Sequence, residues 1–235
     1  MNKSEEKITG TYGDLTEIPD DWTFKNKSVA DNFEKHVREQ LPWYEMVTDM
    51  VAHFGRHYLP EKGIMYDLGA STGNITLSLK SEIEKRCVKA ISVDYSEEMA
   101  RIWRGVGELI VSDVREIEIE NYDFCVCFLL IMFLPVSEQE NFFQNLLSKM
   151  KKGGALIIFD KVEAVDGYLG TVMRRLTIAG KVSSGVNPKE IVKKEMSLAG
   201  QQRPLPNKFF EENTKGFKSE QIFRYGEFSG WVVIR

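Results

Sequence analysis

Tyr66-Asp67-Leu68-Gly69-Ala70-Ser71-Thr72-Gly73-Asn74 decides the fold: an apolar strand runs into a turn of small residues that opens a helix. Gly69 and Gly73 let the backbone turn tightly and approach a ligand. The helix start offers unpaired N–H donors to negative groups. Downstream, residues 63–68 read as a strand, 73–84 as a helix, 88–94 as a strand and 97–104 as a helix, a βαβα rhythm. The rhythm continues with strands at 109–112 and 124–128, the latter apolar throughout and suited to a central position covered on both faces. A helix at 137–150, Gly153-Gly154 and a strand at 155–160 follow. Residues 161–215, with Gly180, Gly185, Gly200, Pro188, Pro204 and Pro206, interrupt the alternation and are expected to form a helical cap. Residues 222–228 and 231–234, split by Ser229-Gly230, read as a terminal antiparallel hairpin.

Upstream, Ser28 precedes Val29, Phe33 and Val37 at helical spacing. Pro42 opens a second pattern with Val47, Met50, Val51 and Phe54. Two helices are therefore expected before the first strand. Residues 1–20 are polar and carry Gly10, Gly13 and Pro19, which predicts a loose N-terminal arm ahead of a single domain over 21–235. The expected architecture is α/β: a doubly wound, mostly parallel sheet, the hairpin, the N-terminal helices and the cap.

The 235 residues suffice for one domain with appendages and exclude two full catalytic domains. With 43% hydrophobic and 28% charged residues the chain can bury a sizeable core. Its 31 Lys and Arg against 35 Asp and Glu, net −4, argue against a protein held mainly by nucleic-acid phosphates. The longest apolar run, residues 124–134, is far short of the ~20 residues of a membrane span. The start is too polar for a signal peptide, so a cytoplasmic protein without a membrane partner is expected. Cys125-Val126-Cys127 lacks the spacer of a redox or zinc pair, and the three histidines, His36, His53 and His57, all fall in the N-terminal helices. No metal is expected, and the two cysteines read as small core residues on one face of a strand.

Asp94 ends the second strand 21 residues after Gly73, the place from which an acid grips a ribose diol. A carboxylate accepts from both hydroxyls, each charge-assisted bond being worth ~1.5–3 kcal/mol. Asp113 follows the next strand. In doubly wound sheets the ligand crevice lies at the carboxyl ends of strands, so Asp67, Asp94 and Asp113 together point to a nucleoside site.

These residues resemble the class I S-adenosylmethionine-dependent methyltransferases, with a Rossmann-like sheet. Asp67-x-Gly69-x-Ser71-x-Gly73 is similar to their first motif, with Ser in place of a middle Gly. Asp94 matches the ribose acid and Asp113 the adenine-side acid. Lys152-Gly153-Gly154-Ala155-Leu156 is similar to a late turn and strand. The resemblance implies S-adenosylmethionine as cofactor, held by Asp67, Gly69, Ala70, Ser71, Gly73, Asp94, Tyr95, Asp113 and Val114. From Asp21 onward the chain further resembles the carboxy-S-adenosylmethionine synthases of tRNA wobble-uridine modification. Asp21-Trp22-Thr23-Phe24, Val29-Ala30-Asp31-Asn32-Phe33, Pro42 with Tyr44, and Thr76-Leu77-Ser78 carry this likeness. It implies that Tyr44 folds over the methionine end of the cofactor and that the protein forms a homodimer.

That family uses prephenate and holds the new carboxylate with an Arg in a Lys-Arg-Ser-Met-Leu stretch. Here Lys193-Lys194-Glu195-Met196-Ser197-Leu198 stands there, with Glu195 at the Arg position. A carboxylate facing a carboxylate costs free energy. Methyl transfer to a small-molecule or tRNA-related acceptor is therefore the expected activity. Carboxylation of the sulfonium is the alternative, in which a shift of one residue lets Lys194 serve. Phe128 replaces a polar Asn and would form an apolar floor beneath the sulfonium. Methyl transfer rests largely on in-line positioning. For an acceptor of high pKa, Asp160 and Lys161 at the end of the fifth strand are the candidate bases.

DNA methylation is disfavoured. Cys127-Phe128-Leu129-Leu130 lacks the acid or Asn, two prolines and aromatic of an amino-methylating enzyme, and no Cys follows a Pro. A nicotinamide-dependent dehydrogenase would need Gly-x-Gly-x-x-Gly, which Gly69-Ala70-Ser71-Thr72-Gly73 does not supply. A non-catalytic cofactor-binding protein is the rival from another class. Between 174 and 194 six basic residues (Arg174, Arg175, Lys181, Lys189, Lys193, Lys194) face one acid, Glu190, a local +5 open to RNA phosphate, a small acid or solvent.

Overall fold

A computed structural model describes residues 23–235, the side chain of Ser28 excepted. The expected arm at 1–20 and the Asp21-Trp22 pair lie outside the described residues. Three helices come first: α1 (Lys27–Asp31), α2 (Phe33–Gln40) and α3 (Tyr44–Tyr58). The first expected helix is thus divided at Asn32. The alternating section contains β1 (Ile64–Leu68), α4 (Asn74–Ser78), α5 (Lys80–Lys85), β2 (Lys89–Asp94), α6 (Glu97–Arg101), β3 (Glu108–Val111), β4 (Tyr122–Phe128), α7 (Val136–Lys149) and β5 (Met150–Lys161). The cap follows as α8 (Gly167–Ser183), α9 (Pro188–Ser197) and α10 (Phe209–Asn213), and then β6 (Lys218–Tyr225) and β7 (Phe228–Ile234) close the chain.

The strands form one sheet of order β3-β2-β1-β4-β5-β7-β6. The first five are parallel, while β7 pairs antiparallel with both β5 and β6. Side chains alternate across the central strands as the twofold pleat requires. Cys125 and Cys127 join Tyr66, Leu68 and Ile158 on one face. Phe124, Val126 and Phe128 join Met65, Ile157 and Phe159 on the other. Both faces are buried, which is why β4 reads as continuously apolar. No helix among the described residues is long and apolar enough to cross a membrane.

Two expectations are corrected. The helix read at 73–84 is two short ones meeting at Leu79, a buried side chain lodged against Gly55. The hairpin turns at Gly226 and Glu227, not at Ser229-Gly230. Gly230 lies within β7 opposite Phe159, and a Cβ there would strike the Phe159 ring. Its smallness serves packing, which local sequence cannot distinguish from turning.

Candidate active site at the strand tips

Beyond β1 the chain bends through Gly69 (φ +74) and Ser71 (φ +50). The Gly69 and Ala70 N–H groups donate to the Val93 carbonyl of β2 at 2.9 and 3.0 Å. Ser71 N–H donates to Asp94 Oδ2 at 2.7 Å, and Ser96 N–H donates to Asp94 Oδ1 at 2.9 Å. Asp94 is therefore clamped by backbone on both oxygens, each with lone-pair capacity left over. Burial pushes its carboxyl above the usual range despite these bonds. Asp113, past β3, differs. The Arg115 guanidinium grips it at 2.9 and 2.6 Å and holds its pKa below the usual range.

A cavity of about 570 Å³ opens over these strand tips, within the usual range of small-molecule sites. Asp67, Gly69, Ala70, Ser71, Asp94, Tyr95, Asp113 and Val114 all line it. So do Tyr44 and Phe128, whose rings pack at 5.4 Å. Burial drives the Tyr44 phenol up to about 12, and its hydroxyl accepts from Asn74 Nδ2 at 3.0 Å. Asp67 is 1% exposed and its Oδ2 has no hydrogen-bond donor among the described residues. Burial, then the nearby Asp94 charge, raise its carboxyl to about 7. An orphaned acid beside a cavity calls for a cationic or N–H-bearing ligand.

The cap and the end of β5 supply the opposite character. Lys161, Lys181 and Lys194 line the same cavity, as does Glu195. Glu195 bonds Arg174 at 2.7 Å and Lys181 at 2.9 Å. Burial alone would raise its pKa, but Lys181, Lys161 and Arg174 outweigh it and hold it at about 2. Part of the basic run at 174–194 is thus neutralised by Glu195 and by Glu227, which Arg174 meets at 3.4 Å. Lys194, one residue before Glu195, sits with its Nζ 2.6 Å from His36 Nε2. Lys161 donates to Gln202 Oε1 at 2.8 Å.

Two expected site residues take other parts. Gly73 does not line the cavity. A Cβ there would lie 2.5 Å from Gly105 N and from Trp103 Nε1, so this glycine lets the 103–105 loop pack on the turn. Asp160 is fully buried behind the wall, where Ile131 N–H donates to it at 2.7 Å and Lys161 N–H at 3.1 Å. It ties the loop after β4 to β5 and is not among the residues that line the cavity. Among the polar cavity residues, His36, Gln40, Asn74, Arg115, Gln201, Gln202 and Arg203 were not read as site residues from the sequence, and Lys181 was read only as part of the basic run. His36 and Gln40 share a helical face with Phe33 and Val37, a spacing that could have disclosed them. Arg115 enters through its local grip on Asp113, two residues away, and Lys181 enters by tertiary folding.

Among the described residues no three His, Cys, Asp or Glu side chains are grouped to hold a metal ion. The residues present do fit a nucleoside with an ammonium-bearing tail. Asp94 and Asp113 lie at adjacent strand tips for the diol and base, while the orphaned Asp67 oxygen lies beside the glycine bend for the tail. Residues 65–154 match the methyltransferase domain family. Over 226 residues the chain is 28% identical to a carboxy-S-adenosyl-L-methionine synthase of Staphylococcus epidermidis, covering 92% of this chain and 98% of that one. A protein of the same name from a Shewanella strain is 29% identical over 247 residues, covering the whole of both chains. Among solved structures, the plantazolicin methyltransferase BpumL, in complex with a monoazolic desmethylPZN analog and SAH, superposes with TM-score 0.62 at 12% identity over 89% of this chain and 90% of that one. An O-methyltransferase family protein from Burkholderia thailandensis gives TM-score 0.63 at 14% identity over 89% of this chain and 60% of that one. Residues 65–154 thus carry a methyltransferase domain, and the chain is similar over its length to carboxy-S-adenosyl-L-methionine synthases.

Proposed function

We propose that the chain transfers the methyl group of S-adenosylmethionine to a small-molecule or tRNA-related acceptor held under the cap. The observation that carries this reading is the single cavity that joins the acidic strand tips to an aromatic and cationic cap end. The bound cofactor supplies an electrophilic methyl group on a sulfonium. Asp94 accepts from the ribose hydroxyls, and Asp113 sits at the base. Asp67 pairs with the ammonium of the amino-acid tail, recovering the interaction that its buried oxygen lacks. Tyr44 and Phe128 pack against the reacting end and exclude water, so that the in-line approach of the acceptor provides much of the rate. Lys161 faces the acceptor space, while Asp160 holds the loop that shapes it.

A second reading, carboxylation of the sulfonium, is favoured by one observation: Lys194 reaches the cavity although Glu195 occupies the aligned position. Its ammonium could hold a carboxylate while Glu195 is retained by Arg174 and Lys181. Incubation with S-adenosylmethionine and prephenate, followed by mass spectrometry of the nucleoside, separates the two. Methyl transfer predicts no carboxylated product and release of S-adenosylhomocysteine with a competent acceptor, whereas a carboxyl gain reverses the order. Cofactor binding without turnover on any acceptor would favour the non-catalytic rival. The homodimer that the resemblance implies is supported by an exposed apolar stripe on α8, Tyr168, Val172 and Leu176, and light scattering of the purified protein tests it.

A further inference from the structure

The cavity holds a nitrogen pair that the transfer reading does not use. His36 projects from α2 and Lys194 from α9, and Lys194 Nζ lies 2.6 Å from His36 Nε2. Two nitrogens at that separation share one hydrogen, so at least one must present a lone pair to the other. Resting on the methyl-transfer reading, we propose that Lys194, oriented by His36, is the base that takes the proton of a hydroxyl or N–H acceptor. The acceptor's O–H or N–H bond breaks and its proton goes to Lys194 Nζ. The electron pair released forms the bond to the methyl carbon, and the carbon–sulfur pair leaves on sulfur. Lys194, now an ammonium, returns the proton to solvent.

The surroundings favour this assignment over the other cavity lysines. Among the described residues, the charged groups that face Lys194 include Lys181 of α8, Lys161 of β5 and Glu195 of its own helix, and His36 faces it from α2. Glu195 is engaged by Arg174 and Lys181. Burial first, then Lys181 and Lys161, push the Lys194 amine well below the ordinary lysine range. Burial, then Lys194 and Lys181, hold His36 neutral, down to about 3. A base works best when its pKa lies near the working pH, and desolvation among like charges moves a lysine in that direction. Lys161 is lowered too, but its amine is committed to Gln202 and lies over the Phe228 ring.

Competitive acetylation with trace acetic anhydride from pH 5 to 11, read lysine by lysine by mass spectrometry, tests the proposal without needing the acceptor. Lys194 should reach half-reactivity at least two pH units below the exposed Lys80, a roughly 100-fold larger neutral fraction at pH 7. Lys181→Met removes a like charge and releases Glu195, so it should raise the Lys194 half-point by a unit or more. A Lys194 half-point within half a unit of Lys80, no shift in Lys181→Met, or no acetylation of Lys194 at any pH would each overturn the assignment. Calorimetry of S-adenosylmethionine on the same preparations keeps the two readings apart. Binding with an ordinary Lys194 overturns the base alone, whereas failure to bind overturns the transfer reading and the base's role with it.

Discussion

Glu34 of α2 accepts a 2.9 Å hydrogen bond from Asn74 at the head of α4, and that same amide donates at 3.0 Å to the Tyr44 hydroxyl. Thr72 also donates to Glu34, and Arg104 approaches it at 3.3 Å. The helix that walls the cavity with Phe33, His36 and Gln40 is thereby fastened to the glycine turn beneath it. Glu34→Ala should cost about 1–3 kcal/mol, the range for losing hydrogen bonds to a charged group. For a chain of this length each kcal/mol corresponds to roughly 2–4 °C in Tm. Burial raises the Glu34 carboxyl, but its bonds to Thr72, Arg38 and Asn74 outweigh that and hold its pKa below the usual value. The stabilisation is therefore present above the usual glutamate range and is lost as pH falls through the lowered native value. Calorimetric melting of wild type and variant at pH 7 and at pH 4 checks both; equal melting temperatures at pH 7 would remove the latch.

Asp67 links cofactor binding to pH. Its carboxyl, raised to about 7 by burial and Asp94, is protonated in the folded protein at pH values where the unfolded chain has lost that proton. The native state then binds more protons, so stability of the free protein falls as pH rises from the usual aspartate range to about 7. A cationic tail favours the carboxylate and expels the proton. Affinity for S-adenosylmethionine should weaken by up to about tenfold per pH unit below about 7. Asp67→Asn should flatten this dependence and stabilise the free protein at pH 8. A pH-independent Kd in the wild type would separate Asp67 from the tail.

Asp94→Ala should weaken cofactor binding by ~1.5–3 kcal/mol, roughly 10- to 150-fold, because the diol loses its charged acceptor. The Ser71 and Ser96 N–H groups lose theirs as well, so the variant should also melt earlier. Titration calorimetry on the folded variant measures the first effect. An affinity within a factor of two of wild type would take Asp94 out of the site.

Gly73→Ala distinguishes a packing glycine from a ligand-contacting one. Its φ of +84 and a Cβ 2.5 Å from Gly105 N leave no relaxed position for a side chain. Left-handed strain of ~1–2 kcal/mol and overpacking of ~1–3 kcal/mol should lower stability by about 2–5 kcal/mol. Chemical denaturation should register the loss, whereas Gly69→Ala, at the cavity wall beside Leu130, should weigh more on cofactor affinity. The reverse ranking would return Gly73 to the binding surface.

These residues also mark how far the sequence could be read. Asp67, Asp94 and Asp113 were legible because each sits at the end of an apolar run, and a parallel sheet brings successive strand ends to one edge. Gly73 does make the turn read for it, but its reading as ligand-facing and that of Gly230 as a turn failed because a glycine kept for a neighbour's ring or backbone looks, locally, like one kept for a ligand or a turn. Asp160 misled by position: an acid at a strand tip can face the crevice or tie down the adjoining loop, and only the loop's path decides. The cap residues Lys181 and Lys194 line one cavity with His36 and Gln40 across more than 140 residues of chain, a proximity that no periodicity encodes. The Glu195 departure was visible, but its capture by Arg174 and Lys181 required the fold.

The most direct test is a crystal structure of the protein soaked or co-crystallised with S-adenosylhomocysteine. The ribose should lie on Asp94 and the adenine beside Asp113 and Val114, with the amino-acid tail against Asp67 and the Gly69 bend. The sulfur should face Phe128 and the cap lysines. A ligand lodged away from these strand tips, or an empty cavity at saturating concentration, would contradict the account.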